Sequence, residues 1–153
     1  MSQKVIDLLN AARARELGAI TQYMVQHYEL EDTDYGKLAK KMKEIGIQEM
    51  KHAEAFAERI LFLKGTPSTK PDGEAKKGQT IEEMLNTDIG LETQAIKMYN
   101  ESSLLCAQEK DQVSKELFEK ILGEEEDHFN FFDNTKDHVA KLGGNFLVTL
   151  IGD

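Results

Sequence analysis

The chain has 153 residues, 40% hydrophobic and 31% charged, with a formal net charge of −9 at pH 7, which gives room for one domain, 1–153, with a substantial core. The acidic balance excludes a nucleic-acid partner held by counterion release and fits a protein that tolerates cations. A single cysteine, Cys106, excludes an internal disulfide and a thiolate metal cluster, and with no long apolar run the chain reads as cytoplasmic, with neither signal peptide nor membrane span.

Ser2 can cap a first helix running to about Glu31, whose apolar line is Val5, Leu8, Leu9, Ala12, Ala19, Ile20, Tyr23 and His27. Residues 32–36 form a turn in which Thr33 or Asp34 can cap a second helix, which runs to about Lys64 before Gly65-Thr66-Pro67 stops it. Both prolines, Pro67 and Pro71, fall in the polar stretch 65–79, which reads as loop. Thr80-Ile81-Glu82-Glu83 is a capping box opening a third helix to about Glu109. A fourth runs from about Asp111 to Lys141, Gly143-Gly144 ends it, and Asn145 can cap a short tail helix, Phe146 to Ile151.

Charged residues interrupt the apolar stripes at matching places. Glu49 and His52, three residues apart, sit on the same face as Leu38, Met42, Ile45, Phe56, Ile60 and Leu63. Glu125 and His128 repeat this within Phe118, Ile121, Leu122, Phe129 and Phe132. The second pair lies 76 residues after the first, and the same offset maps Glu16 onto Glu92 and Tyr23 onto Tyr99. A lone buried carboxylate is costly, so each needs a partner, and a doubled Glu-x-x-His points to metal. Glu16 and Glu49 are centred on the first turn, Glu92 and Glu125 on the second. At ~1.5 Å per residue both pairs lie roughly 25 Å from their turns, at mid-bundle.

The loop 65–79 is longer than the roughly 2–8 residues that join neighbouring helices. Extended at about 3.3 Å per residue it reaches ~50 Å, the length of the bundle. A long crossover between helices two and three follows. The expected class is all-α, a ferritin-like four-helix bundle with a short C-terminal fifth helix.

One Glu from each of two helices plus Glu-x-x-His from each of the other two is a di-iron or di-manganese donor set. Carboxylates suit these ions and can bridge them, and imidazole biases the site toward iron. Four carboxylates balance two divalent ions, and their close approach without metal favours protonation, so metal binding should release protons. Two redox metals with open positions react with dioxygen or hydrogen peroxide. The residues expected to carry this chemistry are Glu16, Glu49, His52, Glu92, Glu125 and His128, with Tyr23 able to donate a hydrogen bond or an electron. Tyr99 has the same potential, and the alternative for both tyrosines is a core residue with its hydroxyl satisfied.

The stretches "IQEMKHAEAFAERILFLKGTP", "IEEML" and "ILGEEEDH", with the crossover between the first two, resemble the bacterioferritin family over nearly the whole chain. The resemblance implies a shell of 24 subunits built from twofold dimers, which oxidises Fe²⁺ and stores a ferric mineral, with a ferredoxin-type reductant for iron release. It implies two iron ions per subunit, Glu49 and Glu125 bridging, Glu16 and Glu92 terminal, and His52 and His128 each on one iron. Tyr23 matches a tyrosine just outside the ligands. Met50 matches the methionine that, with its twin across the dimer, ligates a haem b; its alternative is ordinary apolar packing between subunits. Tyr99 stands where bacterioferritins usually carry an apolar residue, and a tyrosine on both halves resembles rubrerythrin, so a di-iron peroxidase is the alternative. A third reading is a shell subunit whose metal only braces the fold. Glu124, Glu126 and Asp127 read as a solvated face, and His27 as a satisfied core histidine.

Overall fold

The computed structural model describes residues 2–153. Four long helices, α1 (Gln3–Asp32), α2 (Gly36–Phe62), α3 (Ile81–Gln108) and α4 (Gln112–Leu142), are followed by α5 (Gly144–Leu147) and a 3₁₀ turn, Val148–Leu150. No strand occurs among the described residues.

The helix starts follow local chemistry. Ser2 Oγ accepts from Val5 N–H, Thr80 and Glu83 form a full capping box, and the Asp111 side chain accepts from Ser114 N–H. At α2 the expected cap is absent: Tyr35 holds the N-cap position with no side-chain bond. Thr33 instead turns its hydroxyl back to Glu29 O, and Asp34 takes a left-handed φ of 66° to end α1, leaving neither free to cap. Gly143, at φ 55°, ends α4, and its carbonyl starts α5 by accepting from Leu147 N–H, two residues earlier than an Asn145 cap would.

The α1–α2 and α3–α4 hairpins are the main packed pairs. Tyr23 meets Glu92 while Tyr99 meets Glu16, so α1 runs antiparallel to α3. The crossover runs parallel to α1: Asn10 bonds Thr66, Arg13 bonds Ser68, Gln22 bonds Lys76 and Glu29 bonds Gly78. Its polar sequence thus docks without an apolar face, because side chains of α1 satisfy the crossover's backbone groups. At Gly18 an added Cβ would sit 2.5 Å from Asp72 Oδ1, so close approach there is to the crossover; at Gly90 and Gly123 the space is open.

The hydrophobic core divides in two. One cluster gathers Val5, Leu9, Phe56, Ile60, Tyr99 and Phe118; the other gathers Tyr23, Leu38, Met42, Leu85 and Phe132. Phe56 lies 5.3 Å from Phe118 and 5.7 Å from Tyr99, ring centroid to ring centroid. Each fully buried large side chain contributes roughly 1.5–3 kcal/mol. That apolar packing is what offsets the polar layer lying between the clusters.

Candidate metal centre

Glu16 on α1, Glu49 and His52 on α2, Glu92 on α3, and Glu125 and His128 on α4 meet at mid-bundle, all buried. Atoms of Glu16, Glu49, His52 and Glu125 lie within 4.8 Å of one another, as do atoms of Glu49, Glu92, Glu125 and His128. Glu49 and Glu125 therefore belong to both groups, and each group adds one further carboxylate and one imidazole.

Six buried atoms, one from each residue, make no well-aligned hydrogen bond: Glu16 Oε2, Glu49 Oε1, His52 Nδ1, Glu92 Oε2, Glu125 Oε1 and His128 Nδ1, although His52 Nδ1 lies 3.0 Å from Glu49 Oε1 and 3.1 Å from Glu125 Oε1, and His128 Nδ1 3.3 Å from Glu49 Oε1. Native interiors leave few such groups unsatisfied. Two hard divalent ions, each facing carboxylate oxygens and one imidazole nitrogen, would satisfy them all. The donor set fits iron.

The opposite ring nitrogens are held from outside. His52 Nε2 pairs with the Glu124 carboxylate, and His128 Nε2 donates to Gln48 Oε1 at 2.5 Å. These partners place a proton on each Nε2 and turn each Nδ1 inward. Glu124 is thus not part of a merely solvated face. Gln48 and Glu124 also obey the 76-residue offset, each immediately preceding a Glu-x-x-His glutamate and each bonded to the other half's histidine.

The tyrosines cross in the same way. Tyr23 Oη donates to Glu92 Oε1 at 2.6 Å, and Tyr99 Oη donates to Glu16 Oε1 at 2.7 Å. Burial and the neighbouring carboxylates push both phenols well above their ordinary pKa, so both stay protonated donors.

The charges are dense. Burial raises the pKa of Glu92, with Arg15 pulling the other way. Burial alone would lower both histidines, but the carboxylates around Nδ1 outweigh it. His52 is raised far above its ordinary value, and His128 is pushed up to about 12. The direction favours imidazolium over neutral imidazole, so an ion bound at Nδ1 would displace a proton there.

Sequence reasoning missed Arg15. It is fully buried and touches the whole cluster: Nη1 lies 2.8 Å from Glu49 Oε2, 2.5 Å from Glu125 Oε2 and 3.3 Å from Glu16 Oε1, and Nη2 lies 3.5 Å from Glu92 Oε1. The signal was present: Ala12, Arg15, Ala19, Gln22 and Gln26 follow one another at steps of three and four, and all are buried.

Two polar clefts open to the surface between α2 and α4. One, of about 420 Å³, is bordered by Glu44, Gln48, Lys51, His52 and Glu124. The other, of about 180 Å³, is bordered by Glu44, Gln48, Asp127 and His128. Met50 lies outside the cluster: its side chain is 51% exposed, on a face of α2 shared with exposed Ile47 and Leu61. His27 is a satisfied core residue, its Nδ1 2.7 Å from Ala39 O. No helix among the described residues is long and apolar enough to cross a membrane.

The ferritin-like domain family matches residues 6–142. The bacterioferritin of Desulfovibrio desulfuricans is 44% identical over 149 residues, covering 97% of this chain and 83% of that protein. That of Brucella melitensis is 40% identical over 140 residues, covering 92% of this chain and 87% of that protein. The Desulfovibrio structure, which describes a diiron site in different catalytic states, superposes with a TM-score of 0.96, covering 98% of this chain and 88% of that one. A Rhodobacter capsulatus bacterioferritin structure, with a metal-free dinuclear site and a haem iron in a crystallographic special position, also scores 0.96 at 38% identity, covering 100% of this chain and 96% of that one.

Proposed function

The chain belongs to the bacterioferritin family of ferritin-like proteins, and from that premise we propose that it stores iron and acts as a ferroxidase. The observation that carries this reading is the buried set of four carboxylates and two imidazoles, arranged in two groups that share Glu49 and Glu125. Glu16, Glu49 and His52 with Glu125 would hold one iron, and Glu92, Glu125 and His128 with Glu49 the other.

Two Fe²⁺ ions held there would supply two electrons, enough with two protons to reduce dioxygen to hydrogen peroxide or hydrogen peroxide to two waters. The protein's part is positioning and proton control. Tyr23 and Tyr99 hold Oε1 of the outer carboxylates Glu92 and Glu16 in place and leave Oε2 of each without a partner. Glu124 and Gln48 keep a proton on Nε2 of His52 and His128, so that Nδ1 is the nitrogen that would give up its proton to metal. The apolar clusters on either side exclude water from the buried layer and strengthen every charge interaction in it. The two polar clefts at His52 and His128 offer Fe²⁺ short paths from the surface.

Storage requires a hollow assembly, and we assign the chain to a shell of 24 subunits built from twofold dimers, located in the cytoplasm. Met50 on its exposed apolar face suits a haem b shared between two copies, each giving one thioether. A ferredoxin-type reductant would release the iron. The second reading, a di-iron peroxidase, is favoured by the tyrosine on both halves, each bonded to a carboxylate of the cluster.

The test adds anaerobic Fe²⁺ to metal-free protein in large excess, admits air, and follows ferric absorbance and the size of the iron-bearing particle. Oxidation far beyond two irons per subunit, with iron remaining in a large soluble assembly, supports storage. A stop at two irons removes that support and favours the peroxidase. Glu49→Ala should leave assembly intact and abolish the rapid phase; a rapid phase that survives it would show that the cluster only braces the fold.

A further inference from the structure

At the 76-residue offset the six ligand candidates and the two tyrosines match residue for residue, Gln48 maps onto Glu124, and one fully buried position, Arg15, has no polar counterpart. Arg15 precedes Glu16, while its counterpart before Glu92 is Leu91, whose backbone carbonyl accepts from Arg15 Nη2 at 3.0 Å. One half therefore carries a fixed cation, and the other offers only a carbonyl to hold it.

The guanidinium keeps its charge. Burial works against the cation, but Glu16, Glu125, Glu92 and Glu49 hold its pKa well above the ordinary arginine value. Its position conflicts with full metal loading in two ways. First, Nη1 occupies Oε2 of both Glu49 and Glu125. Those two carboxylates keep only Oε1 clear of the guanidinium, so a second ion that called on their other oxygens would have to displace it. Second, four carboxylates balance two divalent ions, so a retained guanidinium leaves a net positive charge in a buried layer. One ion together with Arg15 stays within the available negative charge; two ions together with Arg15 exceed it.

We propose that Arg15 is a built-in counter-cation that holds the four carboxylates together before metal arrives and competes with the second ion, so that metal loads in two unequal steps. The inference rests on the cluster being a two-metal site. The first ion takes the unpartnered oxygens and one Nδ1. The second requires Nη1 to withdraw from Oε2 of the shared carboxylates. The device is absent from the second half, where Leu91 carries no charge.

The test uses full-length wild type, Arg15→Met and Arg15→Lys, stripped of metal and titrated with Zn²⁺, a redox-inert probe, against a chromophoric chelator. Metal-free melting temperature is measured alongside. Wild type should bind two Zn²⁺ in separable steps, the second weaker by about a hundredfold or more. Arg15→Met should tighten the second step by about tenfold or more and lower the metal-free melting temperature. Arg15→Lys, which keeps the charge but not the fork, should fall between. Two equal steps in wild type, or an Arg15→Met protein with unchanged constants and unchanged melting temperature, would overturn the proposal. If Arg15→Met does not fold, the wild-type step ratio and Arg15→Lys decide it. Wild type that binds no Zn²⁺ would instead overturn the metal-site reading itself.

Discussion

Replacing Tyr23 with Phe removes one oxygen atom and little else, because the ring stays 5.5 Å from Phe132 in a fully buried slot. What is lost is the 2.6 Å hydrogen bond to Glu92 Oε1. Glu92 has no close substitute: Arg15 Nη2 and His128 Nδ1 are each 3.5 Å away, and Oε2 has no partner. A hydrogen bond to a charged group contributes about 1.5–3 kcal/mol, and the buried carboxylate cannot turn to water for a replacement. At roughly 2–4 °C per kcal/mol for a chain of this size, the metal-free melting temperature should fall by about 3–12 °C. Calorimetry on chelator-treated protein measures it. Glu92 should also become easier to protonate, so Zn²⁺ binding by Tyr23→Phe should weaken more at pH 6 than at pH 8. A melting temperature within about 1 °C of wild type would refute the reasoning, because Glu92 would then be held by something other than Tyr23.

Three further outcomes are expected. Metal-free stability should fall as pH rises: protons held by His52 and His128 stabilise the fold fully below the unfolded value of about 6.5, and that gain is lost as pH climbs toward about 12 for His128, at up to about 1.4 kcal/mol per pH unit for each histidine. A melting temperature that is flat or rising from pH 7 to 9 would contradict this. Glu124→Ala should weaken Zn²⁺ binding by about 10–100-fold by freeing the His52 ring, while Glu124→Gln keeps an acceptor and most of the affinity; equal loss in both would show that charge, not orientation, is what Glu124 supplies. Gln22→Ala removes both amide bonds to the Lys76 backbone, costs about 1–3 kcal/mol, and should speed hydrogen exchange in 66–78 without changing α4.

Periodicity made the bundle legible. Glu49, His52, Glu125 and His128 stand out because each breaks an apolar stripe at a step of three, and the length of 65–79 called for a crossover. Arg15 was hidden although it falls in line between Ala12 and Ala19, because a long basic side chain is ordinarily solvated. Glu124 was hidden because helix geometry turns it away from Glu125 on its own helix; only the position of α2 shows that this direction leads to His52. The cap of α2 was misread because Thr33 and Asp34 are good capping residues that the end of the preceding helix had already used. Symmetry about the two turns let the carboxylates be placed together at mid-bundle, but which side chain of one helix meets which of another, as at Arg15 and Glu124, could not be read from the chain.

The crossed contacts make the centre a gauge of assembly within the chain. The α1–α2 hairpin contains Glu16, Glu49 and His52 but lacks Glu125, the fourth member of its group; the α3–α4 hairpin lacks Glu49. Each tyrosine and each outer partner of a histidine likewise belongs to the opposite hairpin. A chain severed in the crossover would yield two fragments that each hold three donors and no clamp. Neither could imitate the whole, and the return of tight metal binding on mixing them would report that the hairpins had found their register.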